Sequence, residues 1–428
     1  MRVLHTSDWH LGISRDTVSR REDHSRFLAW LRETIRERGV DVLLVAGDIF
    51  DTIAPSAETQ RQLYGFLGAL RETPLRRAIL IGGNHDSAAQ LDAPRGLLSA
   101  LNIDVLGSYR ADEAPQRHLC PIRGPSGDIE LAVAAVPFVH EFRLGIRTTD
   151  ATRDIVHARL VQRFRDVYDR LAEHSQQQFG TVPLVAMGHL TCGSATRDDY
   201  PHEVHQVGTL GSLPADVFDS RYRYVALGHL HHRRCAGRDH VHYCGTPVAL
   251  NLREAASARC VLEFDSGAAQ PTPQVLRVPP TRDLVELTGV FDEVAAQLET
   301  LSWTTPLRPL VYLRVTVDSY DPTLAARLYE INRTAHATDA PPIVELRQVR
   351  RTSPQAPPLD DQLTRLRDLE PEEVFRRLCR AQGVTPQTPL LAAFRTLLNP
   401  SAESTRDEPP LESATPTTAM PTPATDLA

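Results

Sequence analysis

The sequence predicts an α/β fold, and three observations lead there. "RVLHTSD" (2–8), "VDVLLVAGD" (40–48) and "RRAILIGGN" (76–84) are short, branched, continuous apolar runs that each end in a polar loop, as strands buried on both faces do. Amphipathic helical stretches lie between them, "REDHSRFLAWLRETIRERG" (21–39) and "SAETQRQLYGFLGALRE" (56–72). The order strand–helix–strand–helix–strand implies at least partly parallel pairing, with helices packed on the sheet.

Further along, "IELAVAAVPFV" (129–139) resumes the strands, and a helix is predicted over 150–175. "VPLVAMGHL" (182–190) and "YRYVALGHLHH" (222–232) read as two more strands, and 239–265 as shorter, alternating strands with turns. The pattern changes near Pro279-Pro280, which divides 1–278 from the remainder of the chain. "DLVELTGV", "FDEVAAQLETLS", "PLVYLRVTVDS", "PTLAARLYEINRTA" and "PPIVELRQVRR" then spell strand–helix–strand–helix–strand, a small α/β domain over 281–351. "TSPQAPP" (352–358) is a linker, and 359–399 holds two short amphipathic helices. The segment 400–428, rich in Pro, Thr, Ser and Ala, has too little apolar content to fold. No internal repeat is visible.

A chain of 428 residues with 41% apolar content has room for two or three globular domains. No apolar stretch approaches the ~20 residues of a membrane helix, and "MRVLHTSD" is not a secretory signal. Six cysteines without a CxxC pair argue against a disulfide framework or a zinc ribbon and suit a reducing cytoplasm. A net charge of −7 does not advertise a nucleic-acid binder, although bound divalent cations would offset part of it. All 47 basic residues are arginine, which excludes a Schiff-base enzyme and a Walker-type nucleotide site.

The chemistry lies in what ends the strands. "SDWHLG" (7–12) gives Asp8 and His10, "AGDIFD" (46–51) gives Asp48, and "GGNHDS" (82–87) gives Asn84 and His85. "MGHL" (187–190) gives His189, and "LGHLHH" (227–232) gives His229 and His231. In an open α/β sheet the C-terminal strand ends share one edge, so five such loops can converge. Imidazole nitrogen with carboxylate oxygen suits first-row divalent metals, and the lack of thiolate speaks against structural zinc. The set is too large for one ion. Two ions ~3.5–4 Å apart would share a carboxylate and clamp the attacking and leaving oxygens of a phosphoester. Glycines before Asp48, Asn84, His189 and His229 let backbone approach such a centre. Singly, D-x-H is weak, and GD after a strand reads as a turn. GNHD and GHLH are asked for by neither turn chemistry nor packing, and the joint signal is strong.

D-x-H, GD-x-x-D, GNHD, GH and GH-x-H, in this order, resemble the calcineurin-like metallophosphoesterases. More closely, "LHTSDWHLG", "VAGDIFDT", "GNHDS", "ALGHLH" and "YCGTPVALN" resemble the SbcD family, the nuclease components of bacterial SbcC–SbcD complexes. That resemblance implies a β-sandwich flanked by helices over 1–278, a capping domain over 281–351, and helices at 359–399 that bind the SbcC coiled coil. It implies that Asp8, His10 and His231 hold one ion, that Asp48 bridges, and that Asn84, His189 and His229 hold the other. The family prefers Mn2+. His85 would stabilise the reacting phosphorus or protonate the leaving sugar oxygen, and Asp51 and Asp86 would orient imidazoles.

The implied activity is ATP-dependent 3′→5′ double-strand exonuclease and hairpin endonuclease cutting in DNA repair, recombination and replication. Its substrates would be double-stranded DNA ends and hairpins. The chain would act as a homodimer within a heterotetramer with an SbcC-like coiled-coil ATPase, in a nucleoid-associated cytoplasmic setting. Two rivals stand beside it: a phosphodiesterase or phosphatase acting on a small molecule or phosphoprotein, and a non-catalytic scaffold. The capping domain and terminal helices disfavour the first, and a complete ligand set disfavours the second. His5 and His24 read as structural, Trp9 as loop packing, and His232 as surface. His202 and His205 read as a surface or substrate-facing loop. Arg15, Arg20 and Arg21 are equally readable as phosphate contacts or as a solvated charged loop.

Overall fold

The structure is a computed structural model that describes residues 1–15, 18–146, 152–193 and 212–351, with isolated positions between 372 and 394. It divides into two compact units, Met1–Arg351 and Thr352–Ala428.

In chain order the first unit begins with strand β1 (Arg2–Thr6), the hairpin β2 (Ser14–Arg15) and β3 (Val18–Ser19), and helix α1 (Arg21–Arg38). β4 (Val42–Ala46), α2 (Ala57–Ala69) and β5 (Arg77–Ile81) follow. Short helices α3 (Ala88–Asp92) and α4 (Arg95–Ser99), then β6 (Ile103–Leu106) and β7 (Leu119–Arg123), fill a stretch whose periodicity is too short to announce them, and β8 (Ile129–Ala135) is the strand expected over 129–139. α5 (Arg153–Phe179), β9 (Leu184–His189), β10 (Tyr222–Gly228), β11 (Arg234–Cys235), β12 (Val241–Tyr243), α6 (Leu252–Ala255), β13 (Cys260–Asp265) and β14 (Gln274–Arg277) come next. The last module is β15 (Leu284–Gly289), α7 (Phe291–Glu299), β16 (Leu310–Val317), α8 (Leu324–His336) and β17 (Ile343–Arg350).

Local chemistry sets several boundaries. α1 stops at Gly39, whose φ of 61° is the left-handed conformation that glycine adopts without a Cβ penalty. Ser56 caps α2 by accepting from the Thr59 amide at 3.1 Å.

Two six-stranded sheets, ordered β14-β13-β1-β4-β5-β6 and β11-β12-β10-β9-β8-β7, stack face to face. Their shared core holds Val3, Leu44, Ile79, Val133, Met187 and Tyr224 among others. Helices α1 and α2 cover the outer face of the first sheet through Leu4, Leu43, Phe27 and Leu67. α5 covers the second through Tyr168, Val225 and Leu171. The neighbouring residues Val3 and Leu4 thus enter different cores, which is why the strands read as unbroken apolar runs. The single sheet edge expected from the motif order is in fact two edges brought together by this sandwich.

The third sheet, β15-β16-β17, is parallel. Leu287, Leu313 and Val315 pack on Val294 of α7 and Leu328 of α8. Its opposite face, Leu310, Tyr312 and Val344, rests on Val18 and Leu252 of the sandwich portion. In the second unit, Arg376 pairs with Glu372 at 2.7 Å and the rings of Phe375 and Phe394 stack 4.1 Å apart. The rest of the predicted 359–399 helices, the 352–358 linker, the 400–428 tail, and His202 and His205 lie outside the described residues. No helix among the described residues is long and apolar enough to cross a membrane.

Candidate metal centre

Register gathers the site. β1, β4 and β5 are parallel and pair Thr6 with Val45 and Ala46 with Ile81, so their next loops leave side by side. β9 and β10 pair His189 with Gly228, which aligns the loops of the second sheet. Pairing continues past the strand ends, with the amides of Asp8, His10 and Leu11 donating to the carbonyls of Gly47, Asp48 and Ile49 at 2.9–3.0 Å. Two bonds then join the sheets. The His229 amide donates to Asp8 Oδ1 at 2.9 Å, and His189 Nδ1 donates to the Ala46 carbonyl at 2.9 Å.

Asp8, His10, Asp48, His189 and His229 are all buried. Asp8 (φ 53°), His10 (48°), Asp48 (48°) and His229 (99°) sit in the left-handed region. Only six described non-glycine residues do so, and four of them are predicted ligands. Each such residue stores roughly 1–3 kcal/mol of strain, which the flanking strands hold in place. The glycines serve close approach. A Cβ on Gly47 would collide with the His189 ring, one on Gly83 with the Asp48 carboxylate, and one on Gly228 with the Ala46 carbonyl. Gly188 differs, because its Cβ would meet the Tyr168 hydroxyl in the core instead.

Around the first half of the site, His10 Nε2 and His231 Nε2 face each other at 3.2 Å, and Asp48 Oδ2 lies 3.7 Å from His10 Nε2. The far nitrogen of each ring meets a carboxylate: His10 Nδ1 is 3.3 Å from Asp51, and His231 Nδ1 is 3.0 Å from Glu254. Around the second half, His189 Nε2 lies 3.3 Å from Asp48 Oδ2 and 3.0 Å from Asn84 Oδ1, and His229 Nδ1 meets the same amide oxygen at 3.0 Å. Asp8, His10 and His231 bring ligand atoms within 4.8 Å of one another, as do Asp8, Asp48 and His189, and His10, Asp51 and His85.

This donor set fits divalent cations. A carboxylate or carbonyl partner fixes the proton on Nδ1 of His231 and His189, and the Asp51 carboxylate lies 3.3 Å from Nδ1 of His10, so that three Nε2 atoms turn inward. They meet carboxylate oxygens and the Asn84 oxygen, so acceptors face acceptors in a buried space, which is unfavourable unless positive charge lies between them. The side chains' own titration shows the same demand. For Asp48, burial is overcome by the imidazoles of His189, His10 and His85, which hold its carboxyl well below the usual range. For His189, burial is overcome by Asp48 and Asp8, which push it up to about 9. His10 is raised likewise, against burial, by Asp51 and Asp48. Burial dominates elsewhere, pushing Asp8 up and holding His229 down to about 3.

His85 stands at the rim, its ring 4.9 Å from that of His10. Its amide donates to Asp48 Oδ1 at 2.9 Å and its Nδ1 meets the Asp51 carbonyl at 2.9 Å. Asp86 departs from the imidazole-orienting expectation. Its carboxylate accepts from the amides of Ile49, Phe50 and Gly83 at 2.8–3.0 Å, which ties the Asp48 loop to the Asn84 loop. Burial raises its carboxyl to about 6.

Trp9 is buried between Phe27 and Phe66, with its indole N–H on Thr6 Oγ1 at 3.0 Å. It anchors the loop while its neighbours Asp8 and His10 turn to the site. His5 is buried between Tyr224 and the Leu227 carbonyl, and His24 is buried beside Arg20 and Asp23. His232 is half-buried rather than on the open surface. Arg20 is 1% exposed and held by Asp23 and the Ala249 carbonyl, which removes it as a DNA contact. Arg21 is exposed and pairs with Glu58, and Arg15 donates to the Leu250 carbonyl at 2.7 Å. Glu254 is not visible as a site residue in the sequence, where 239–265 reads only as short alternating strands with turns.

Residues 1–233 match the calcineurin-like phosphoesterase family, and residues 280–383 match the type 5 capsule protein repressor C-terminal domain. The chain is 35% identical over 380 residues to the D subunit of the SbcCD nuclease of Rhodobacter capsulatus, covering 83% of this chain and 93% of that protein. It is 32% identical over 398 residues to the Escherichia coli protein of the same name, covering 88% and 92%. With the Bacillus subtilis protein of that name it shares 33% identity over 274 residues, 62% of this chain and 66% of that one.

Proposed function

The chain belongs to the calcineurin-like phosphoesterase family, among the SbcCD nuclease D subunits, and on that premise we propose a two-metal DNA nuclease subunit. It is a hydrolase acting on DNA phosphodiester bonds. Its substrates are double-stranded ends, degraded 3′→5′, and hairpins, cut endonucleolytically. An SbcC-like coiled-coil ATPase, bound through the helices of 359–399, supplies the ATP dependence. The complex is a heterotetramer with two copies of this chain, and residues 281–351 form the cap over the nuclease domain 1–278.

Asp8, His10 and His231 would hold one cation, Asn84, His189 and His229 the other, and Asp48 would bridge. The observation that carries this reading is the inward convergence of these acceptor atoms from five loops. When bound, two Mn2+ ions would supply Lewis acidity toward the phosphate and a lowered pKa for water.

The protein's own part is positional. The Ala46 carbonyl holds the His189 ring in the ligating tautomer, and the Asp51 carboxylate lies 3.3 Å from Nδ1 of His10. Asp86 keeps two ligand loops in register. His85, fixed through Nδ1 by the Asp51 carbonyl, can hold or release a proton at Nε2 toward the leaving sugar oxygen.

Hairpin DNA offered beside p-nitrophenyl phosphate, with manganese present, tests the reading. Cleavage of the hairpin, lost in Asp48→Ala and His85→Ala with unchanged circular dichroism, is expected. Turnover of the small ester alone would identify a small-molecule phosphoesterase.

A further inference from the structure

Glu254 is buried on the four-residue helix α6, and its two oxygens do different things. Oε2 accepts the Leu250 amide at 2.6 Å, which is cap chemistry. Oε1 accepts Asn251 Nδ2 at 2.6 Å and faces His231 Nδ1 at 3.0 Å. Asn251 in turn accepts the Glu254 amide at 3.0 Å, so the carboxylate is fixed from both sides. Two residues before it, Leu252 packs on Leu310, Tyr312 and Val344 of the third sheet. Arg259 donates to the His231 carbonyl at 3.0 Å and locks the other end of the ligand's backbone.

We propose that Glu254 is a positioning residue for the first cation site: it fixes the proton on His231 Nδ1 and aims Nε2 at the position opposite His10. The inference rests on the two-metal reading above. A neutral imidazole ligates through the nitrogen that lacks a proton, so the partner of the other nitrogen selects both tautomer and ring angle. The anionic partner also makes the ligating nitrogen a stronger donor. Because α6 is seated beneath the third sheet, the aim of His231 depends on that sheet staying in place. A helix cap alone needs only Oε2, whereas the His231 contact is an additional use of the carboxylate.

The test is Mn2+ binding to the full-length chain, followed by calorimetry and by electron paramagnetic resonance. Wild type, Glu254→Gln, Glu254→Asp and Glu254→Ala are compared. Wild type is expected to give the exchange-coupled signal of an ion pair at two equivalents. Glu254→Gln keeps the volume and the cap acceptor but not the charge, and it should weaken one of the two sites about 10-fold. Glu254→Ala should weaken that site roughly 10–100-fold, leaving a six-line single-ion signal at low Mn2+, with partial recovery in Glu254→Asp. A merely structural role would lower thermal stability without separating the two ions. If wild type shows the coupled pair and Glu254→Gln and Glu254→Ala match it in both affinities, the positioning role is overturned. If wild type never shows a coupled pair, the two-metal reading itself fails, and the positioning role falls with it.

Discussion

At the scale of single residues, the site trades backbone comfort for convergence. Asp8, His10, Asp48 and His229 adopt left-handed backbone, and the amides of Asp8 and His10 on the carbonyls of Gly47 and Asp48, with the His229 amide on Asp8 Oδ1, hold the segments together. That arrangement makes the flanking glycines exacting. Gly47→Ala adds a strained φ of 89° to a collision with His189, and Gly83→Ala drives a methyl into Asp48. Each should lower cleavage about 100-fold, as ligand displacements near 1 Å do, while circular dichroism stays native. Activity within a few-fold of wild type would show that the ligands tolerate the shift. His5 makes a second residue-scale prediction. Burial first, with His242 adding, holds its imidazole neutral down to about 3. An unfolded histidine titrates near 6.5, so between about pH 6.5 and 3 the unfolded chain binds a proton that the native one refuses. Stability due to this group is complete above about 6.5 and falls as pH drops, by ~1.4 kcal/mol per unit. Urea unfolding from pH 6.5 to 4.5 should show a shallower pH slope for His5→Gln than for wild type; parallel slopes would remove His5 as the cause.

At the scale of elements, the sequence announced most strands and helices and hid their arrangement. Residues 40–48 and 182–190 look alike because both are covered on two faces, so nothing in either run says that they belong to different sheets. The motifs that converge at the site were legible, since Asn84-His85 and His229-x-His231 are asked for by neither turn chemistry nor packing. Asp86 was singled out for imidazoles yet bonds backbone amides, and Glu254 was not singled out at all, because a carboxylate beside a short helix has an ordinary explanation in the chain. The junction between sandwich and third sheet was equally silent. There Asp23, fully buried, is clasped by Arg20 at 2.9 Å and Arg282 at 3.2 Å. Burial raises its carboxyl, and the two guanidiniums more than reverse that, leaving it below the ordinary value. Removing one partner leaves buried charge unpaired, so Asp23→Ala should lose roughly 3–5 kcal/mol in chemical denaturation. A loss below about 1 kcal/mol would mean that water reaches the arginines.

At the scale of the whole molecule, metal centre, sandwich and third sheet form one compact unit, and the C-terminal segment forms another. The sandwich brings two sets of strand ends together, and the third sheet rests on Val18 and Leu252, which flank the Asp8–His10 and Glu254 segments. A chain ended after Arg351 should therefore keep Mn2+ binding and nuclease-domain stability while losing co-purification with the coiled-coil ATPase. Retained co-purification would move the partner site into the first unit. The central claim is that seven side chains from five loops, drawn from two sheets, hold a pair of cations. Anomalous diffraction at the manganese edge, on crystals of the protein grown with Mn2+, tests it most directly. Two peaks flanking Asp48, one near His10 and His231 and one near His189 and His229, are the predicted result; a single peak, or none, would contradict it.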